Sequence, residues 1–479
     1  MKLGVHLLLL IALSLFIGRS SAVQIGQHGV GQALIFPYYT VNNDLNTLYS
    51  IVNTTDQPKA VRLRFLEGEI GRDVLSFNVY LSPFDVWTGA LVPVVSTIQG
   101  HVGEPSVSHI TNDTSCVPFL SLPSQELLPF LIDEDAPNNS MNRAREGYIE
   151  VIEMGVLTGN AAQAIDHGSV GVPIDCNLLE NDWVDNQWDL DTVEDPTGGL
   201  LGSISLINVA NGTNFSYDAI ALENFWDQAG LHTSPGGPLP NLSSASNESR
   251  VLLASGELAV SEWATGFEAV SALLMQAEIY NEYDYLSFLN GKSDWVVSFP
   301  TKIYHTDVDG SPIAPFNNNW DGNEACDGFT ITVWDREEMG NMINGDCGVT
   351  CPPIDTRPQL CYSSNVLEFI APDVTQEATS RVLGSDNFLS FNTSNNQFTE
   401  NGWASLHFLS ANSFDDTMMI PVTGVGYKGL PLTGFMVQQY TNAGAAEGLL
   451  AQYGGLFKHK GLVDAGDFGI DLVFRNAFD

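Results

Sequence analysis

Two short runs of strict alternation most constrain this chain. Val61, Leu63 and Phe65 alternate with Arg62 and Arg64, and Leu75, Phe77, Val79 and Leu81 alternate with Ser76, Asn78 and Tyr80. A period of two places successive side chains on opposite faces of a strand, so each run predicts one buried and one solvated face. Gly68 and Gly71 punctuate the connection and Pro83 closes the second run, as expected of antiparallel neighbours. Ile51–Pro58 reads as a strand end and polar turn. A second hairpin is expected between Ile204–Val209 and Ala219–Glu223, joined through Asn211-Gly212, with further strands at Tyr148–Glu153, Trp295–Phe299, Phe329–Trp334, Val366–Ile370, Trp403–Phe408 and Phe468–Phe474.

One helix stands out. Thr265-Gly-Phe-Glu268 fits a capping box, with Thr265 as N-cap and Glu268 reaching back to its amide. Phe267, Val270, Ser271 and Leu274 then share a face, with Leu273 and Met275 widening it, so the helix is expected under the sheets. The fold class that follows is mostly β: an antiparallel β-sandwich, immunoglobulin-like or jelly-roll in type, as one large or two packed sandwiches. It carries a long loop-rich insertion over about 100–197 and at least one buried helix.

The N-terminus reads as an export signal over 1–22. Lys2 supplies a positive start, Leu7–Ile17 an apolar stretch too short to span a bilayer, and Ser20-Ser21-Ala22 a cleavage site. The remaining organisation is an N-terminal sandwich over 23–235, a Ser/Pro/Gly/Asn-rich linker over 236–250, and a C-terminal β-rich region over 251–479 that either stands apart or interleaves with the first half.

Six cysteines in an exported chain predict disulfides. Cys116 and Cys176 are expected to pair, and Cys326, Cys347, Cys351 and Cys361 to form two local bridges in any of three connectivities. A zinc site on Cys347 and Cys351 is the alternative, disfavoured without two CxxC knuckles. Charge narrows the partners. The net charge is −39, becoming −41 when the leader's Lys2 and Arg19 are removed. Such a surface repels nucleic acid and anionic membranes, leaving a cell-surface polymer, carbohydrate or self-assembly through sheet edges.

Two stretches resemble a family of secreted bacterial β-rich proteins with no assigned activity. The first is Phe36-Pro-Tyr-Tyr-Thr-Val-Asn-Asn43, with Val52–Asp56, Arg64-Phe-Leu-Glu-Gly68 and Leu81-Ser-Pro-Phe-Asp-Val-Trp87. The second is Ala269–Leu273, with Asp294-Trp-Val-Val-Ser-Phe-Pro-Thr-Lys302 and Asp335-Arg-Glu-Glu338. The resemblance implies a signal peptide, a β-rich fold and a Gram-negative source, and it supplies no functional residue.

The chain has no Gly-x-Ser-x-Gly elbow, His-Glu-x-x-His, P-loop or CxxCH, so the catalytic classes those motifs mark are not indicated. The chemical candidate is calcium. Asp307-Val-Asp309-Gly310 opens like a calcium loop, with Asp321, Glu324 and Asp327 shortly after. It departs from an EF-hand because no Glu occupies the twelfth position. The expected function is a non-catalytic secreted, periplasmic or cell-surface sandwich with a structural or adhesive role. The rivals are a calcium-assisted polysaccharide hydrolase, for which the run Asp335-Arg-Glu-Glu338 would offer paired carboxylates, and a carbohydrate- or ligand-binding module with Trp183, Trp188, Trp226 and Trp320 as stacking groups.

Overall fold

A computed structural model of the chain describes residues 22–465 and 470–471, apart from 170, 186–187, 189–191, 228–229, 254, 339, 344–356, 372–374, 393–399, 409–417 and 443–450. Residues 1–21 of the expected 1–22 leader, Cys347 and Cys351 lie outside the described residues, as does most of the strand expected at Phe468–Phe474.

Thirteen strands build the N-terminal half: β1 (Gln24–Ile25), β2 (Ala33–Thr40), β3 (Asn46–Asn53), β4 (Lys59–Glu67), β5 (Asp73–Leu81), β6 (Val86–Val95), β7 (Pro105–Ile110), β8 (Ser124–Glu126), β9 (Glu146–Leu157), β10 (Val193–Glu194), β11 (Leu200–Asn208), β12 (Thr213–Asp218) and β13 (Ile220–Glu223). They form two antiparallel sheets. One runs β1-β13-β2-β9-β4-β5 with β10 beside β9, and the other runs β12-β11-β3-β6-β7-β8. Inward residues of both sheets, among them Phe36, Leu63, Phe65, Phe77, Trp87, Ile149, Val151, Ile204 and Phe215, share one core. This is a sandwich, as the alternation required.

The expected hairpin after β11 has a different partner. β11 pairs with β12, Ile204 opposite Tyr217 and Leu206 opposite Phe215. Ala219–Glu223 instead crosses to the other sheet, where β13 pairs with β2. Strand β12 is Thr-Asn-Phe-Ser-Tyr-Asp, in which only Phe215 and Tyr217 are apolar, so it resembles a polar connection. The 100–197 stretch holds loops and short helices, and also the 12-residue β9. That strand lies between β2 and β4.

In the C-terminal half, strands 292–298, 364–370, 388–392, 433–442 and 451–458 form a five-stranded sheet in which 364–370 and 388–392 run parallel. A larger sheet contains 278–284, 330–335, 401–407 and 460–464. Trp295, Val297, Leu367, Phe369 and Met436 pack from the first of these onto Ile279, Ile331, Val333 and Leu406 of the second. The opposite face of the five-stranded sheet contributes Val296, Val366, Phe435 and Val437 to the N-terminal core. Two sandwiches are thus packed through a sheet that serves both cores. The connecting 236–250 stretch is fixed in place. Arg62 donates to the Leu239 carbonyl, and Asn241 caps a short 3-10 turn at 242–244.

Gly266–Leu274 is helical and buried along its length. Thr265 Oγ1 accepts from the Glu268 amide at 3.4 Å, as an N-cap does. The Glu268 carboxylate accepts from the Thr265 hydroxyl at 2.8 Å.

The largest departure concerns the wet face of β4. Arg62 is 0 % exposed and Arg64 6 %. Arg62 donates to Thr233 Oγ1 and the Ser234 carbonyl. Arg64 pairs with Glu150 and, at 3.1 Å, with Asp73. Segments from 232–244 and the 302–306 helix cover this face, so both sides of the sheet are buried. No helix among the described residues is long and apolar enough to cross a membrane.

Candidate functional site

The sequence candidates are dispersed. The Asp307 carboxylate is held by Arg72. Asp309 sits in an exposed turn. Asp321 accepts from the Asn323 and Glu324 amides at 2.8 and 3.0 Å, which holds its carboxyl below the usual range. Asp327 is buried and accepts from the Asn317 amide at 3.0 Å, with Lys302 near it; burial pushes its carboxyl up. Among the described residues no three of these five carboxylates have oxygens within 4.8 Å of one another. Glu324 comes that close to the sulfurs of Cys326 and Cys361. Those sulfurs are joined in a disulfide, as are Cys116 and Cys176. A disulfide sulfur is not a thiolate and is no ligand for zinc. Two such bridges are typical of proteins outside the cytoplasm.

The carboxylates proposed for hydrolysis lie at a hairpin turn, where Asp335 Oδ1 accepts from the Glu337 amide at 2.9 Å. The tryptophans do not form one rim. Trp183 and Trp188 stack at 4.9 Å beside His232 and Tyr80. Trp226 donates to the Glu153 carbonyl, and Trp320 donates to Asp135 beneath Arg143.

What the tertiary structure assembles instead is a polar crevice of about 330 Å³ where the two halves meet. The five-stranded sheet supplies Lys292, Gln439, Thr441 and Gln452, with Lys292 opposite Gln439 and Thr441 opposite Gln452 in the ladder. The N-terminal sandwich supplies Asn43 from the turn after β2, and Asn208, Asn211 and Thr213 from the β11–β12 hairpin. A loop contributes Glu377, Thr379, Ser380 and Arg381, and Asn290 lies at the rim in a left-handed conformation. The N-terminal wall is braced internally. Asn208 Nδ2 donates to the Asn43 carbonyl at 2.9 Å, and Asn208 Oδ1 accepts from the Asn211 amide at 2.9 Å. Gln452 Oε1 is buried with no hydrogen-bond partner among the described residues.

The loop wall is tied down by three buried carboxylates from different strands. Glu368 Oε2 accepts from the Arg381 amide at 2.8 Å. Asp294 Oδ2 accepts from the Val382 and Leu383 amides at 3.1 and 2.9 Å. Glu146 Oε1 accepts from Ser385 Oγ at 2.9 Å and its other oxygen from Tyr38 at 2.6 Å. Asn43 Nδ2 adds a bond to the Val382 carbonyl at 2.8 Å. Burial pushes the Asp294 carboxyl up to about 6, with Glu368 reinforcing the shift against the bonds from the loop amides.

A raised carboxyl favours the folded state only when protonated, so this group's contribution to stability rises as the pH falls from about 6 towards about 4. Above pH 6 ionised Asp294 costs on the order of 3 kcal/mol. Asp294→Asn keeps an acceptor for the loop amides and removes the charge. The variant is expected to be about 1–3 kcal/mol more stable than the parent at pH 7.5, by urea unfolding. That advantage should vanish near pH 4. An equal or lower stability at pH 7.5 would show that the ionised form is needed.

No family model matches the chain, and no solved structure matches it. A curated protein that resembles part of it is phosphoribosylformylglycinamidine synthase subunit PurL of Methanopyrus kandleri, 31% identical over 130 residues. The match covers 26% of this chain and 18% of that protein's length. A likeness over so small a share carries no activity across.

The crevice has no signature in the sequence. Asn, Gln, Thr and Ser at these positions read as turns and solvated strand faces. Asn211-Gly212 had marked its hairpin turn, and that was the nearest signal.

Proposed function

We propose that this chain is an exported, non-catalytic adhesive protein that holds a saccharide in the crevice between its sandwiches. The observation that carries the reading is the convergence of side-chain amides and hydroxyls from both halves on one concave space. Carboxamides offer both donors and acceptors, which matches the hydroxyl groups of a sugar, each of which can do both. Gln452 Oε1, without a hydrogen-bond partner among the described residues, would gain one, as buried polar atoms require. A volume of about 330 Å³ lies within the range of small-ligand clefts, room for a small saccharide. The leader-like N-terminus and the two disulfides support a place outside the cytoplasm, and the acidic surface keeps nucleic acid and anionic membranes away.

The test is calorimetry with a panel of neutral and acidic oligosaccharides. Gln439→Ala/Gln452→Ala removes two amides from the crevice lining and should weaken binding about tenfold or more. Its melting temperature should match the parent's. A panel in which nothing binds, or binding untouched by the double substitution, would sink the proposal.

A further inference from the structure

The charge lining the crevice runs against the rest of the molecule. The chain has 18 Lys and Arg against 57 Asp and Glu. Several of its cations are consumed internally: Lys59 by Glu153, Arg64 by Glu150 and Asp73, Arg72 by Asp135, Arg143 by Glu67, and Arg381 by Glu368. The crevice nonetheless presents two cations, Lys292 and Arg381, against one carboxylate, Glu377. Arg381 is held at the wall, its Nε against Glu368 and its Nη2 donating to the Phe369 carbonyl at 2.8 Å. Lys292 is half-buried at the first position of its strand. Among the described residues no carboxylate lies within 4.0 Å of its ammonium.

We propose that the saccharide is anionic, a hexuronate-type sugar whose carboxylate is taken by Lys292 while the surrounding amides take its hydroxyls. This rests on the saccharide reading above and names the class of ligand. An ammonium in a partly enclosed space, with no carboxylate within 4.0 Å among the described residues, is best satisfied by one carried in on the ligand. A single point charge among neutral amides suits a monoanion. A phosphate dianion would call for a second uncommitted cation, and Arg381 is already engaged. Glu377 is exposed at the rim, where it disfavours a second negative group on the ligand. The general negative field of the protein opposes any anion at long range. At physiological ionic strength the screening length is ~8 Å, so the local charge of Lys292 prevails inside the crevice.

The experiment compares uronic acid disaccharides (galacturonate, glucuronate and mannuronate types) with their methyl esters, which keep the shape and remove the charge. Calorimetry on the full mature chain at 0.15 M salt should show at least one acid binding about tenfold or more tightly than its ester. Lys292→Gln should abolish that preference while keeping the parent melting temperature, and Lys292→Arg should restore most of it. Acid and ester binding equally, only neutral sugars binding, or a preference that survives Lys292→Gln would overturn the anionic class and leave the saccharide reading standing. Absence of binding by every saccharide, neutral or acidic, would overturn both.

Discussion

Glu153→Ala is expected to destabilise the protein by ~3–5 kcal/mol, enough to bring a domain of ordinary stability close to unfolding. Glu153 and Lys59 are both fully buried and 2.6 Å apart, on the adjacent strands β9 and β4. The same carboxylate accepts from the Thr197 amide at 3.0 Å and the Gly198 amide at 2.7 Å, and so fixes the chain entering β11. Truncation leaves an ammonium in the interior with, among the described residues, only Thr197 Oγ1 at 2.9 Å to receive it, and strands two backbone donors. The penalty comes mainly from the uncompensated charge. Lys59→Met/Glu153→Leu, which removes both charges and keeps the volume, should therefore cost much less than Glu153→Ala alone. Urea unfolding of the three proteins checks this. A double variant as unstable as the single one would mean that the loss comes from the Thr197 and Gly198 contacts, and that the pair itself matters little.

Cys116→Ser/Cys176→Ser should remove about 4 kcal/mol, from the chain-entropy cost of an open loop of this size. The bridge spans 60 residues. Its consequences are local as well. Cys176 begins the Cys176–Val184 helix, whose Leu179 packs with Ala161 and Ile165 on Ala60 and Tyr80. The Trp183 indole at the far end donates to Tyr80 at 2.9 Å. Cutting the tether should thus loosen the Trp183–Trp188–His232 stack before global unfolding. A shift of tryptophan emission at lower denaturant than the loss of β-sheet dichroism would report it. A single coincident transition at the parent's midpoint would mean that the helix is held by packing alone.

Opposing pH effects run through the same interior. Burial lowers the imidazoles of His109, His305 and His459 to about 4. Groups lowered in this way stabilise above the ordinary histidine range and lose that contribution as pH falls, the reverse of Asp294. For this reason the Asp294→Asn comparison is made against the parent at each pH.

Local structure follows from neighbouring residues alone. Alternation at Val61–Phe65 and Leu75–Leu81 produced paired strands, because the period of two is a property of the extended backbone. Thr265 set the start of the helix, because a hydroxyl at that position satisfies an amide that the helix leaves open. Cys116 and Cys176 paired as expected, while the fate of Cys347 and Cys351 lies beyond the described residues. What covers each face is set by long-range packing. Alternation assigns Arg62 and Arg64 to the side opposite Leu63, but whether that side meets water depends on segments near 233–242 and 304, far along the chain. The crevice has the same origin. Asn43, Asn208, Lys292, Arg381, Gln439 and Gln452 span most of the sequence, and none carries a local signal beyond polarity. They line one crevice because one sheet is shared between two cores, which brings the β11–β12 hairpin, the 377–382 loop and three strand ends to a common rim.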